Sequence, residues 1–210
     1  MKERKQIKND DNTKEPIKIF VKEIQKFNRA HNIVGRLSEK QIISLDVLDC
    51  EAILPHINPQ QKILDIGSGA GLPGLIIAIK KPSALVTMSE KNNKKAYFIR
   101  KMINTLKLTN AWVLDKAINP DTTTQDKFDV ITARALTTTP KIINMAQHLL
   151  TDGGKFLLMK GALEKIDEEV AQLDDKKYSY TIHKTKTKTK TKTKTKTKNI
   201  NRHILEINQK

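Results

Sequence analysis

Lys62-Ile63-Leu64-Asp65-Ile66-Gly67-Ser68-Gly69-Ala70-Gly71-Leu72-Pro73-Gly74 runs an apolar strand without pause into a glycine-crowded turn and then into an apolar helix. Glycine lacks a Cβ and tolerates positive φ, so this spacing lets the backbone turn sharply and approach a bound molecule closely. The helix that follows points its free N–H groups into the same gap. The segment therefore predicts a strand, a ligand-holding turn and a helix.

About twenty residues on, Ala84-Leu85-Val86-Thr87-Met88-Ser89 predicts a second buried strand, with Glu90 at its carboxyl end. An acid at that place is suited to ribose hydroxyls. Two nucleoside cofactors fit the pattern, a nicotinamide dinucleotide and S-adenosylmethionine, and the literal GxGxxG of Gly69, Gly71 and Gly74 satisfies either. Asp65 before the first glycine, the denser GxGxG of Gly67, Gly69 and Gly71, and the short remaining chain favour the methyl donor. An NAD(P)-dependent reductase remains the alternative from the glycines alone.

The same alternation continues along the chain. Strands are expected at 62–66, 84–89, 111–115, 128–133 and 155–159, with helices at 73–80, 92–107, 139–150 and 162–173. This predicts an α/β fold with a doubly wound, mostly parallel, seven-stranded sheet. Thr151-Asp152-Gly153-Gly154 reads as a helix end and turn, and Lys160-Gly161 closes the following strand at the cleft edge. Residues 1–14 are polar and charged and are expected to be a disordered leader; 15–60 should form N-terminal helices packed on a core spanning 61–210. Apolar Ile17, Phe20, Val21, Ile24 and Phe27 keep helical spacing in the first of these, and Ile42, Ile43, Val47, Leu48, Ile53 and Leu54 in the second.

The chain of 210 residues carries 39 Lys and Arg against 23 Asp and Glu, a net charge of +16. Such a surplus points to a polyanionic partner. Half of it lies in the Lys-Thr alternation of 184–198, which holds eight lysines and is expected as the overgrown loop of a hairpin between 178–183 and 199–208. Without an apolar run near the length of a bilayer span, and with a charged beginning, the protein is expected in the cytoplasm, away from membranes. The single Cys50 excludes an internal disulfide and reads as a buried small hydrophobe. His31, His56, His148, His183 and His203 show no paired ligand spacing and read as structural, so no metal is expected.

In order and spacing, Asp65 to Gly74, Glu90 with Lys94, Lys95 and Phe98, Phe128 to Ala135, Lys160-Gly161 and Arg202-His203-Ile204-Leu205 resemble the bacterial small-subunit ribosomal RNA guanine-7 methyltransferases. The likeness spans about residues 20 to 208. It implies a class I S-adenosylmethionine-dependent methyltransferase acting on 16S ribosomal RNA or the small ribosomal subunit, as a monomer. By this resemblance Gly67, Gly69, Gly71 and Leu72 contact the donor, Glu90 its ribose, Ala117 and Ile118 the adenine edge, and Arg134 the region between donor and RNA. Nitrogen 7 of guanine has an in-plane lone pair and no hydrogen, so no general base is needed; Arg134 and Lys160 are the residues suited to hold oxygen 6 of the base. Two stretches depart from the family pattern: Lys116 and Ile118 stand in a segment usually written Arg-x-Glu, and Leu45-Asp46 stand where an Arg-His pair usually precedes Asp49. A noncatalytic RNA-binding protein on the same fold is the second alternative that these departures raise.

Overall fold

The computed structural model describes residues 12–35, 38–193 and 196–210, with the backbone alone for 186–193 and 196–200. Most of the expected leader, residues 1–11, lies outside the described residues.

Seven strands form one sheet in the order β3-β2-β1-β4-β5-β7-β6. They are β1 Lys62–Ile66, β2 Leu85–Ser89, β3 Ala111–Leu114, β4 Phe128–Arg134, β5 Leu150–Lys160, β6 Tyr178–Thr193 and β7 Lys196–Gln209. Strands β1 to β5 pair in parallel; β7 runs antiparallel to both β5 and β6. A parallel sheet must be covered on both faces, which is why β1 and β4 are near-continuous apolar runs with almost every residue buried.

The helices divide between the two faces. Helices α1 Lys14–His31, α4 Gly74–Lys80 and α5 Asn93–Thr105 cover one, joined by the short α2 Glu39–Ile42 and α3 Leu48–Glu51. Phe20, Ile24, Ile42, Ile53, Ile76 and Phe98 pack there against Ile63, Val86, Val130 and Leu157 of the sheet. Helices α6 Thr139–Ala146 and α7 Leu163–Val170 cover the other face, where Ile142, Ile143, Ile166 and Val170 meet Leu64, Ile131, Phe156, Leu158 and Leu205. Each of these side chains removes enough apolar surface to contribute about 1.5–3 kcal/mol.

Three local expectations are corrected. The second N-terminal stretch is not one helix: between α2 and α3 it widens into a π turn over Ile43–Val47, and a 3-10 turn follows at Leu54–His56. Thr151-Asp152-Gly153-Gly154 does not precede β5 but lies within it, because helix α6 stops at Ala146 and a 3-10 turn at Gln147–Leu149 completes the descent. Gly153 takes φ +75 there, and the register against β4 shifts between Phe128 and Val130, so the glycines form a bulge in a longer strand. Finally, the described part of the Lys-Thr tract, 184–193 and 196–198, is strand and not loop. After a register shift beyond Lys184, pairing resumes at Lys188 with Asn201 and continues to Thr193 with Lys196. Alternating residues with a β-branched member every second place suit extended backbone, so the hairpin simply lengthens.

Candidate active site

Strand β1 ends at Ile66, and the next residues turn back beneath β2: the N–H groups of Gly67 and Ser68 both donate to the Ser89 carbonyl, at 2.8 and 3.0 Å. Gly67, Gly69 and Gly71 take φ values of +66, +60 and +83, a region that side chains with a Cβ rarely enter. A methyl group on Gly67 would lie 2.7 Å from Leu136 Cδ1, and one on Gly71 2.4 Å from Leu75 Cδ1. The turn is thus tight against its neighbours at both positions. At Gly69 the nearest atom to such a methyl is 4.0 Å away, so the positive φ calls for glycine there and the space beside it stays open.

Two carboxylates hold the turn from opposite sides. Asp65, fully buried, accepts the Gly74 N–H at 3.0 Å and so anchors the start of α4. Burial pushes its pKa up to about 6, against the pull of its hydrogen bonds. Glu90, buried at the end of β2, accepts the Gly69 N–H through Oε2 and the Asn92 N–H through Oε1, both at 2.8 Å. Each carboxylate oxygen has a second lone pair, so these two bonds orient Glu90 and leave it capacity for hydroxyl donors.

Gly67, Gly69, Glu90, Ala117, Ile118 and Arg134 line one cleft of about 370 Å³, closed on its remaining sides by Ser89, Lys91, Lys95, Leu136 and Met145. It opens at the carboxyl ends of β1, β2 and β4, where ligands of such sheets bind. Leu72 lines an adjoining recess of about 350 Å³ with Ile33, Val34, Asp46, Asp49 and Arg202. Gly71 does not line either; it packs against Leu75. Lys160 lines a third recess of about 180 Å³ beside Gly161, Thr137 and Glu169. Arg134 and Ala135 belong to all three spaces, which places the end of β4 at their junction. A larger hollow of about 500 Å³ lies at the opposite ends of these strands, along Leu85, Trp112 and Phe128, remote from the glycine turn.

Arg134 is paired with two acids that precede β1 in the chain. Its Nη1 donates to Asp46 Oδ1 at 2.9 Å and stands 3.7 Å from Asp49 Oδ2. Arg202 Nε approaches the other Asp49 oxygen at 3.8 Å. Asp49 is almost fully buried, and that burial raises its pKa even against Arg202 and Arg134. Lys160 is also engaged, donating to Glu169 at 2.6 Å and to the Thr137 carbonyl at 3.3 Å. Arg100 of α5 pairs with Asp115 and Lys101 with Glu23, while Lys95 and, ahead of the helix, Lys91 reach the cleft. Cys50 is fully buried and burial drives its thiol pKa upward, so it is no nucleophile.

Sequence reasoning missed Asp46 and Leu136 as parts of the site. Asp46 belongs to the π turn, a distortion with no residue signature, and Leu136 is aimed at Gly67 by Ala135, which takes φ +52.

Residues 13–205 match the family described as rRNA small subunit methyltransferase G. The chain belongs to that family. Its relatives include the ribosomal RNA small subunit methyltransferases G of Psychrobacter sp., 37% identical over 75% of this chain and 70% of that protein, and of Laribacter hongkongensis, 36% identical over 74% and 73%. Among solved structures, the SAM-dependent O-methyltransferase of Thermotoga maritima superposes with a TM-score of 0.59 at 14% identity, covering 91% of this chain and 71% of that one. The precorrin-6y C5,15-methyltransferase of Geobacter metallireducens does so at 0.58 and 16%, covering 86% and 92%. A Streptococcus mutans structure in complex with SAH gives 0.52 at 12%, covering 78% and 96%. The fold is therefore that of class I S-adenosylmethionine-dependent methyltransferases, and the family is one of methyltransferase enzymes; the nicotinamide reading of the glycines is not favoured. Among the described residues no helix is long and apolar enough to cross a membrane.

Proposed function

We propose that this enzyme transfers the methyl group of S-adenosylmethionine to nitrogen 7 of a guanine in 16S ribosomal RNA, presented as RNA or in the small subunit, and works as a cytoplasmic monomer. The observation that carries the reading is the cleft in which the positive-φ backbone of Gly67 and Gly69 faces the buried carboxylate of Glu90, with Ala117 and Ile118 opposite. The glycines admit a ligand close to the main chain, and the carboxylate has lone pairs directed to a sugar diol. Apolar Ile118 supplies a surface for a purine ring, and the family to which the chain belongs supports the donor. When bound, S-adenosylmethionine supplies an electrophilic methyl carbon on a sulfonium.

The remaining work falls to the protein as positioning. Holding two reactants at near-attack distance contributes about 7 to 11 kcal/mol without any proton transfer. Arg134, at the junction of the three recesses, holds the guanine side of the cleft. Its charge is braced by Asp46 and Asp49, so it presents donors in a set direction while the two acids offset the field it would place on a base gaining positive charge. Lys160, fixed by Glu169, and Arg202, beside Asp49, border the same entrance and suit RNA phosphates.

The test is methyl transfer from labelled S-adenosylmethionine to small ribosomal subunits and to naked 16S RNA from a strain lacking this activity, followed by chemical cleavage at 7-methylguanine. One modified guanine, lost on Arg134→Ala, is expected. Donor binding with no methyl transfer to either substrate would favour the noncatalytic alternative.

A further inference from the structure

A cluster of ionisable side chains lies on the sheet face that carries α1 and α3, and the methyl-transfer site makes no use of it. His56 from the 3-10 turn ahead of β1, His183 of β6 and Glu206 of β7 converge there, with one donor atom from each lying within 4.8 Å of the others. His183 Nε2 is 3.0 Å from Glu206 Oε2, and His56 Nδ1 is 3.9 Å from the same oxygen. The two imidazole rings are 4.3 Å apart between centroids and tilted by 49°. Lys155 of β5 holds the other Glu206 oxygen at 3.1 Å.

The two separations from the Glu206 oxygen suit a metal polyhedron. Tetrahedral Zn²⁺, with ligands at about 2.0–2.2 Å, sets its donor atoms about 3.4 Å apart, and the observed 3.0 and 3.9 Å fall on either side of that value. Two imidazole nitrogens and one carboxylate oxygen form a set that suits Zn²⁺ and its first-row neighbours, not the oxygen-loving Mg²⁺ or Ca²⁺. Lys155 plays the part of an outer partner, fixing the carboxylate so that Oε2 faces the imidazoles. The side chains of His56, His183 and Glu206 are 21%, 33% and 18% exposed, enough for an ion to enter and for water to take a fourth position.

We propose that His56, His183 and Glu206 form a binding site for one divalent transition-metal ion of the Zn²⁺ class. The ion takes the Nε2 lone pair of His183 in its neutral tautomer, with the ring proton on Nδ1, and stands in place of the hydrogen bond to Glu206. Because the ligands come from positions 56, 183 and 206, the ion fastens the connector that leads from α3 into β1 to the edge hairpin of β6 and β7. A ligand that binds only the folded chain raises its stability by mass action. The inference is independent of the methyl-transfer reading.

Titrating the tag-free, chelator-treated chain with Zn²⁺ by calorimetry should give one ion per chain at micromolar affinity or better, and a thermal transition that rises with Zn²⁺. His56→Gln and His183→Gln should each weaken binding by an order of magnitude or more and remove the thermal shift. Co²⁺ bound to the unaltered chain should show the visible absorption of a low-coordinate N/O site. Absence of saturable binding to the unaltered chain, or binding undiminished in both histidine variants, would overturn the site whatever the outcome of the methyl-transfer assay. Should a variant fail to fold, the Co²⁺ spectrum and the thermal shift of the unaltered chain decide the matter.

Discussion

Gly67 meets two demands at once, a φ of +66 and the approach of Leu136, whose Cδ1 would lie 2.7 Å from an added Cβ. A β-branched side chain there incurs about 1–2 kcal/mol from backbone strain alone and pushes Leu136 across the cleft. Gly67→Val is therefore expected to lower stability by that amount and to reduce S-adenosylmethionine affinity by about two orders of magnitude in calorimetry. Asp65 presents the opposite case, a residue whose burial is costly. Its folded pKa of about 6 exceeds the ordinary 3.8, so between those values the folded chain binds more protons than the unfolded one. This contribution to stability falls as pH rises through that window and is lowest above it. Asp65→Asn can keep the oxygen that accepts the Gly74 N–H and removes the titration. Denaturant unfolding from pH 4 to 8 should show the wild type losing up to about 3 kcal/mol more than the variant. Identical pH profiles would refute that role for Asp65.

Helix α5 ties the fold to the cleft through its N-cap residue. Asn92 accepts the N–H groups of Lys94 and Lys95 at 3.1 and 3.2 Å, while its own N–H goes to Glu90. Asn92→Ala should cost about 1 kcal/mol in equilibrium unfolding. Glu90 is oriented by the backbone N–H of Asn92, which alanine retains, so donor affinity should stay nearly unchanged; a clear loss would show that the helix start shifts with its cap. Elements with strong periodicity, such as α1 with Phe20, Val21 and Ile24 buried, and the buried runs of β1 and β4, are legible in the residues because burial imposes their pattern. The π turn at Ile43–Val47 and the bulge at Gly153 are not, since each is a local departure set by what packs against it.

The excess positive charge of the chain is concentrated at one end of the sheet, in the hairpin that β6 and β7 extend beyond the core. Backbone pairing joins the two arms of that extension, and loop or hairpin length carries little cost in stability. Shortening the hairpin by removing 185–200 and closing it with a two-residue turn should leave the unfolding transition and donor binding unchanged. The salt dependence of RNA binding should become shallower as phosphate contacts are lost. An unaltered salt slope would mean that the tract does not touch RNA.

Composition and order along the chain determined the fold class, the glycine turn, Glu90 and the strand-end positions of Arg134 and Lys160, because hydrophobic period and backbone freedom are properties of short segments. Only the tertiary structure decided that Asp46 and Asp49 brace Arg134, that Lys160 is held by Glu169, and that His56, His183 and Glu206 meet. Those encounters join residues from nine to 150 positions apart, and strand order and helix packing, which no local pattern encodes, bring them within a few ångströms.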